Sequence, residues 1–241
     1  MSPRAQLLLS GVAAIGLTFV AARGLGLFLG LDVLFPAVAM LVLAAKVLIA
    51  LQSVEERHPH AWLGPANLVT LGRAALVALM AALIREVPSS AVAWTAIGLG
   101  TTAAVLDGAD GQLARRTGLA SDFGARFDME TDAFFILVLS ALVWVSGAAG
   151  PWILLAGSLR YLFVAAGWLL PWMRAPLTPT RRGKTMAVVQ MVGLLVALGP
   201  FVPAPLGTWA AGLTLLGLAW SFGLDVRRLW RGRCLPLPTA T

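Results

Sequence analysis

The chain has 241 residues, of which 59% are hydrophobic and 12% charged, and its formal net charge is +7. Soluble domains carry about a quarter charged residues, so this composition excludes an ordinary soluble protein and indicates one embedded in a membrane. The single cysteine, Cys234, excludes an intrachain disulfide and a cysteine-rich zinc site, and the basic residues are strung between apolar segments, so we expect contact with membrane lipids and no nucleic-acid partner.

Eight apolar stretches approach the length of about 20 residues that a helix needs to cross a bilayer. They run over about 5–29, 33–51, 66–84, 89–109, 126–147, 151–173, 185–202 and 206–224. Each should be helical, because unpaired backbone groups in hydrocarbon cost several kcal/mol. Turn-forming Pro, Gly and Ser residues separate several of the stretches. The sequence therefore predicts an all-α, polytopic membrane helical bundle.

The first stretch has two interpretations. Arg4 precedes an apolar run, and the small residues Ala21 and Ala22 follow it, as in a cleaved signal peptide. The sequence stays apolar beyond Arg23, however, and this favours a retained membrane anchor.

Basic residues predict the orientation of the bundle. They cluster in three segments: between the fourth and fifth stretches, between the sixth and seventh, and after the eighth. These segments face the same side if all eight stretches span, and the positive-inside rule places that side in the cytoplasm. We therefore expect an integral protein of a bacterial-type inner (plasma) membrane.

Six of the eleven acidic residues fall between Asp107 and Asp132, where the fourth stretch ends and the fifth begins. On a helix that advances 100° per residue, Asp107 and Asp110 share a face, and so do Asp128 and Asp132 on the next helix. A short turn near residues 118–121 would make the two helices antiparallel neighbours, with four carboxylates in one cleft at the membrane surface. Such a cleft needs cations, because the four anions would otherwise repel one another.

The ligand chemistry favours hard divalent cations. Carboxylate oxygens suit Mg²⁺, Mn²⁺ or Ca²⁺, no cysteine is near, and both histidines lie in another loop. Two such cations can bridge a pyrophosphate and stabilise the charge that builds on phosphorus. On the first helix, the small Gly111 and Ala114 leave room for a flat base or a phosphate, and Arg115 offers a fork of donors for phosphate oxygens.

The spacing of these residues resembles the signature of the CDP-alcohol phosphatidyltransferase family. The matching positions are Asp107, Asp110, Gly111, Ala114 and Arg115, followed after eight residues by Gly124, Asp128 and Asp132. The resemblance implies metal binding by Asp107, Asp110, Asp128 and Asp132, with Asp132 also acting as the general base. It also implies a CDP pocket formed by Gly111, Ala114 and Arg115, with Gly124 permitting close helix approach, and two divalent cations, Mg²⁺ or Mn²⁺, as cofactors.

The similarity extends beyond this motif. The segment 64–70 with Arg73 is similar to the start of the family's first core helix, and Gly183-Lys184-Thr185 with Gln190 is similar to the start of its fifth. It implies a six-helix core over about residues 64–224. The first 60 residues depart from this pattern, because their two apolar stretches add two N-terminal transmembrane helices. We accordingly predict an N-terminal membrane anchor over 1–60, a catalytic membrane domain over 61–233 and a short tail over 234–241.

Other polar residues carry weaker expectations. Arg160 lies within an apolar stretch, so it should face a polar cavity, either holding an anionic acceptor or pairing with an aspartate. Lys184 is a second candidate for acceptor binding. His58 and His60 are expected to be exposed loop residues, and Glu130 a solvated charge. Asn67 and Arg73 are candidates for substrate contact, with helix capping as the other interpretation of Asn67.

The resemblance implies transfer of a phosphatidyl group from CDP-diacylglycerol to a small alcohol acceptor with release of CMP, in phospholipid biosynthesis. Glycerol 3-phosphate is the favoured acceptor, because the region around Lys184 looks like that branch of the family. One alternative is a CDP-choline or CDP-ethanolamine phosphotransferase acting on diacylglycerol, and another is a divalent cation transporter. A homodimer is also open, since small residues such as Gly157 permit tight helix contacts.

Overall fold

A computed structural model describes residues 1–174 and 180–232, apart from the side chains of residues 109–112 and 114–116. In this part of the chain the regular structure is entirely helical. The α-helices are α1 Pro3–Leu29, α2 Phe35–Leu51, α3 Val54–Arg57, α4 Pro65–Leu83, α5 Ser90–Thr117, α6 Asp122–Val145, α7 Leu154–Leu169, α8 Arg181–Ala197 and α9 Ala204–Gly232. Two 3-10 turns, Pro151–Ile153 and Pro171–Arg174, flank α7. The prediction of an all-α membrane bundle is confirmed.

The eight apolar stretches all correspond to helices, but several helices continue into polar sequence. α5 runs to Thr117 and α9 to Gly232, and α8 begins at Arg181, because a helix that leaves the bilayer can extend into water with a polar surface. The four-residue helix α3 was not predicted.

Five helical segments are long and apolar enough to cross a membrane. They are Pro3–Leu29, Pro65–Leu83, Ser90–Gly108, Pro151–Leu169 and Ala204–Arg231. α2 is apolar but has only 17 residues, whereas α6 carries four acidic residues in its first half and α8 starts with basic residues. The chain is therefore an integral membrane protein, while the crossing of the bilayer by all eight stretches stays a prediction.

The N-terminal helices share a core with the rest of the bundle. Leu7 of α1 and Leu43 of α2 are fully buried in the same apolar cluster as Leu71 of α4 and Phe123 of α6. α4 also packs against α5 and α6, so it is the helix that connects the N-terminal pair with both acidic helices.

Two polar segments meet at one end of the bundle. His58, in the linker after α2, lies 2.8 Å from Ser121 Oγ in the turn between α5 and α6, and His60 lies 3.2 Å from the carbonyl oxygen of Ala120. Both linkers therefore lie on the same side, as the predicted alternation of spans requires.

α6 and α7 approach very closely at a glycine. A Cβ atom on Gly157 would lie 2.2 Å from the Cα atom of Leu137, so only glycine fits there. Gly157 thus serves packing within the chain, which accounts for its small size without a second subunit, and a homodimer stays a prediction.

Candidate active site

A buried arginine on α4 organises the acidic end of the bundle. The Arg73 side chain is only 1% exposed, and its Nε donates a hydrogen bond of 3.2 Å to the carbonyl oxygen of Ala103 on α5. Its Nη1 lies 2.5 Å from Asp128 Oδ1 and its Nη2 2.9 Å from Asp107 Oδ1, and Nη2 also pairs with Asp132. One guanidinium thus connects carboxylates from α5 and α6, as the planar fork of five donors permits.

The three carboxylates are close enough to share a cation. Ligand oxygens of Asp107, Asp128 and Asp132 all lie within 4.8 Å of one another. Asp107 is buried, whereas the side chains of Asp128 and Asp132 are 32% and 25% exposed, so the cluster is accessible from one side. Although Asp107 Oδ1 lies near Arg73, no described group donates a hydrogen bond to it. An all-oxygen set with spare acceptor capacity fits Mg²⁺ or Mn²⁺.

Local turn chemistry brings α5 and α6 to this position. α5 ends at Gly118, whose φ of 66° lies in the left-handed region that glycine adopts most readily. Ser121 then caps α6 by accepting a hydrogen bond from the backbone N–H of Gly124. The sequence predicted this turn. It did not predict that α4 packs against both acidic helices and places the Arg73 guanidinium between their carboxylates.

Gly124 permits α6 to lie close to α4. A Cβ atom at this position would come within 2.8 Å of Asn67 Oδ1, and Asn67 is itself buried, with its amide donating to the carbonyl oxygen of Leu63. The lack of a side chain at Gly124 therefore preserves both the helix contact and the orientation of Asn67 near the start of α4. Substrate binding by either residue stays a prediction.

The side chains of four predicted site residues lie outside the described part of the structure. Asp110, Gly111, Ala114 and Arg115 belong to α5, in the turns that follow Asp107. Their backbone is helical, and the shared face of their side chains stays a prediction.

The two predicted acceptor residues do not join this cluster in the described contacts. Arg160 Nη2 lies 2.6 Å from Glu130 Oε1, so the acid with which it pairs is a glutamate and not one of the aspartates. Glu130 is correspondingly an ion-pair partner instead of a purely solvated charge. Lys184 is exposed in the first turn of α8. Their participation in acceptor binding stays a prediction.

The expectation that His58 is exposed is wrong. Its side chain is 5% exposed, and its Nε2 lies 2.7 Å from the carbonyl oxygen of Trp62 while Nδ1 faces Ser121. Hydrogen bonds to these two polar partners offset the free-energy cost of burying the imidazole. They also attach the linker after α2 to Ser121, the N-cap of α6. His60 is partly exposed.

Arg73 is the site residue whose role sequence reasoning missed. The sequence feature that could have revealed this role is an arginine within an apolar stretch, at the start of the family-like segment. A buried arginine needs a counter-charge. Which carboxylates it meets depends on residues 34 to 59 positions away and is not visible in any local pattern.

Comparison with known proteins gives a consistent picture. The sequence profile described as CDP-alcohol phosphatidyltransferase matches residues 63–222. A cardiolipin synthase (CMP-forming) from Oryza sativa subsp. japonica is 28% identical over 189 residues, which cover 68% of this chain and 57% of that protein. The chain thus spans little more than half the length of this curated relative. No solved structure matches the chain significantly.

Proposed function

The chain belongs to the CDP-alcohol phosphatidyltransferase family, and from this premise we propose that it transfers a phosphatidyl group from CDP-diacylglycerol to an alcohol and releases CMP. The observation that supports this proposal is the convergence of Asp107, Asp128 and Asp132 at one end of the bundle, around a buried Arg73. A nucleotide diphosphate at the membrane surface needs a concentration of positive charge, which carboxylates provide by holding divalent cations.

Four aspartates would hold the two cations, Mg²⁺ or Mn²⁺: Asp107, Asp110, Asp128 and Asp132. Bound there, the cations would neutralise charge on the pyrophosphate and on the departing CMP. On the same face of α5, Gly111 and Ala114 would leave space for the cytidine, while Arg115 would donate to phosphate oxygens.

The reaction needs one proton transfer, and we assign it to Asp132. In our proposal the alcohol donates its proton to Asp132, its oxygen bonds to the lipid-bearing phosphorus, and the bond from that phosphorus to the oxygen of CMP breaks. Arg73 already contacts Asp132 and Asp128, so it would hold both carboxylates toward one point. It is a positioning residue in this scheme.

Two acceptors have specific support. Glycerol 3-phosphate is favoured by the segment Gly183-Lys184-Thr185, which resembles that branch of the family, with Lys184 and Arg160 as candidates for its phosphate. A lipid alcohol is favoured by similarity to a CMP-forming cardiolipin synthase, because joining a second phosphatidyl group to phosphatidylglycerol gives cardiolipin. Each acceptor presents a hydroxyl and an anionic phosphate.

The site would face the cytoplasm, because the loops on its side of the bundle hold most of the basic residues. CDP-lipid would then enter with its acyl chains in the bilayer and its nucleotide in the cleft. A bacterial-type inner membrane is the location proposed, and the enzyme acts as a monomer or a homodimer there.

The test is mass spectrometry of the lipids formed by the purified protein with CDP-diacylglycerol and Mn²⁺. Glycerol 3-phosphate and phosphatidylglycerol are supplied in separate reactions, and CDP-choline with diacylglycerol in a third. We expect CMP and a new phosphatidyl lipid in one of the first two. Formation of phosphatidylcholine, or of no lipid in any reaction, would contradict the proposal.

Two variants connect the product with the proposed base. Asp132→Asn should lower turnover by about 10² to 10⁴, the usual contribution of a general base. Asp122→Asn is the matched control, because Asp122 is an exposed acid in the first turn of the same helix. Turnover in Asp132→Asn equal to that of the control would overturn the assignment of the base.

A further inference from the structure

A cavity of about 550 Å³ lies between α2, α3, α6 and α7. α6 lines it with residues 123, 126, 127, 130 and 134. On a helix that advances 100° per residue these residues share one face, and Asp128 and Asp132 point roughly 140° to 180° away from the centre of that face. The cavity is therefore separate from the candidate active site, on the opposite side of α6.

Cations dominate the charged lining of this cavity. Lys46, Arg57 and Arg126 are opposed by a single acid, Glu130, and the Glu130 carboxylate is already paired with Arg160 at 2.6 Å. Arg57 and Arg126 are exposed, and neither has an ion-pair partner within the described part of the chain. The lining thus carries an excess of positive charge: Glu130 and Asp132 act electrostatically on Lys46, while the two arginines have no ion pair among the described residues.

Lys46 is held in position at the cavity wall. Its Nζ donates a hydrogen bond of 3.0 Å to the carbonyl oxygen of Glu130 and lies 5.1 Å from the ring centroid of Phe134. An ammonium group has three donor hydrogens, so one such bond leaves capacity for a ligand oxygen. The lysine joins α2 to α6 and remains available to an anion.

The rest of the wall is apolar and reaches the surface of the bundle. Val42, Ile49 and Phe134 line it, and Ile49 is 61% exposed. Arg57 and Arg126 lie at the end where α2 gives way to the polar linker and where α6 begins. An apolar slot with cations at the membrane surface is complementary to a lipid that has an anionic headgroup.

We propose that this cavity binds an anionic phospholipid, with its phosphate between Arg57, Arg126 and Lys46 and one acyl chain along the wall formed by Val42 and Phe134. A volume of about 550 Å³ suits a headgroup with part of a chain. α2 precedes the family-matched residues 63–222, so this site gives the N-terminal helices a binding role in addition to anchoring. The inference does not rest on the proposed reaction.

The experiment measures lipid binding to the full-length protein in a neutral detergent, by native mass spectrometry and by the shift in unfolding temperature. The probe is phosphatidic acid, which has no alcohol and so cannot occupy the site as an acceptor substrate. Phosphatidylcholine tests the need for net negative charge, and inorganic phosphate tests the need for acyl chains. We expect a stabilising shift with phosphatidic acid alone.

Variants locate the binding. Arg57 and Arg126 would each donate charged hydrogen bonds to the lipid phosphate. Arg57→Gln and Arg126→Gln should therefore each weaken lipid binding about tenfold or more. Both arginines are exposed and lack an ion pair among the described residues, so these changes should leave the fold intact. Arg227→Gln is the matched control: an exposed arginine without a described ion pair, near the end of α9.

A third change tests the apolar slot without altering charge. Ala45 lines the cavity and is exposed, so Ala45→Trp should fill the slot and abolish the shift caused by phosphatidic acid. Arg57→Lys, which keeps the charge, should retain most of the binding. Equal binding of phosphatidylcholine, an equal shift with inorganic phosphate, or full binding by the Arg57→Gln/Arg126→Gln double variant would overturn the proposal.

Discussion

Replacement of Arg73 by methionine should destabilise the protein strongly, and in a way that divalent cations reverse. The side chain is 1% exposed and pairs with Asp107, Asp128 and Asp132, so its removal leaves carboxylates facing one another without a counter-charge. Breaking a buried ion pair by removing one partner costs about 3–5 kcal/mol. For a chain of this size that loss lowers the unfolding temperature by on the order of 10 °C.

Cations should restore much of this loss in Arg73→Met. A cation present at a hundred times its Kd stabilises the folded state by about 2.7 kcal/mol, and in the variant it meets carboxylates that Arg73 no longer occupies. In the unaltered protein the cation must compete with the ion pairs of Arg73, so the stabilisation should be smaller. Arg73→Lys should fall between the two, because one ammonium cannot reproduce the bonds of a planar fork.

The assay is thermal unfolding in detergent, with a chelator and then with increasing Mn²⁺. Arg227→Met serves as the control for loss of an exposed arginine and should shift the midpoint little. If Arg73→Met in chelator unfolded at the same temperature as the unaltered protein, the carboxylates would not need Arg73 as a counter-charge.

Three further predictions concern helix packing and metal dependence. Gly157→Ala should cost about 1–3 kcal/mol or more in unfolding free energy, since the added Cβ meets the Leu137 backbone at 2.2 Å; Gly16→Ala, where the added atom meets nothing within 4 Å, should be neutral or stabilising in the same thermal assay. Gly124→Ala should lower CMP release by displacing Asn67, which the added Cβ would approach to 2.8 Å; an unchanged rate would show that the orientation of Asn67 does not matter. Chelation should abolish CMP release and Mn²⁺ should restore it, and activity that persists in excess chelator would exclude the metal-dependent reaction.

The fold was largely predictable because the bilayer restricts the possibilities. An apolar stretch of about 20 residues must be helical in hydrocarbon, so the eight helical positions follow from composition and turn residues. The ends were less accurate where water solvates the chain: α5 continues to Thr117 and α9 to Gly232. Helix α3 is too short for periodicity to reveal.

The acidic positions were predictable, but their counter-charges were not. The spacing of Asp128 and Asp132 requires only the geometry of one helix. The ion pairs of Arg73 and Arg160, and the burial of His58, depend on which helices pack together. A periodic pattern within one segment does not show which helices pack together. These ion pairs and this burial could therefore be found only from the tertiary structure.

Anomalous scattering from crystals of the protein grown with a CDP-lipid and Mn²⁺ would locate the bound cations directly. We predict two Mn²⁺ ions coordinated by Asp107, Asp110, Asp128 and Asp132, with pyrophosphate oxygens completing their coordination. Crystals of protein that releases CMP, but with no Mn²⁺ at these carboxylates or with the CDP group bound elsewhere, would contradict it.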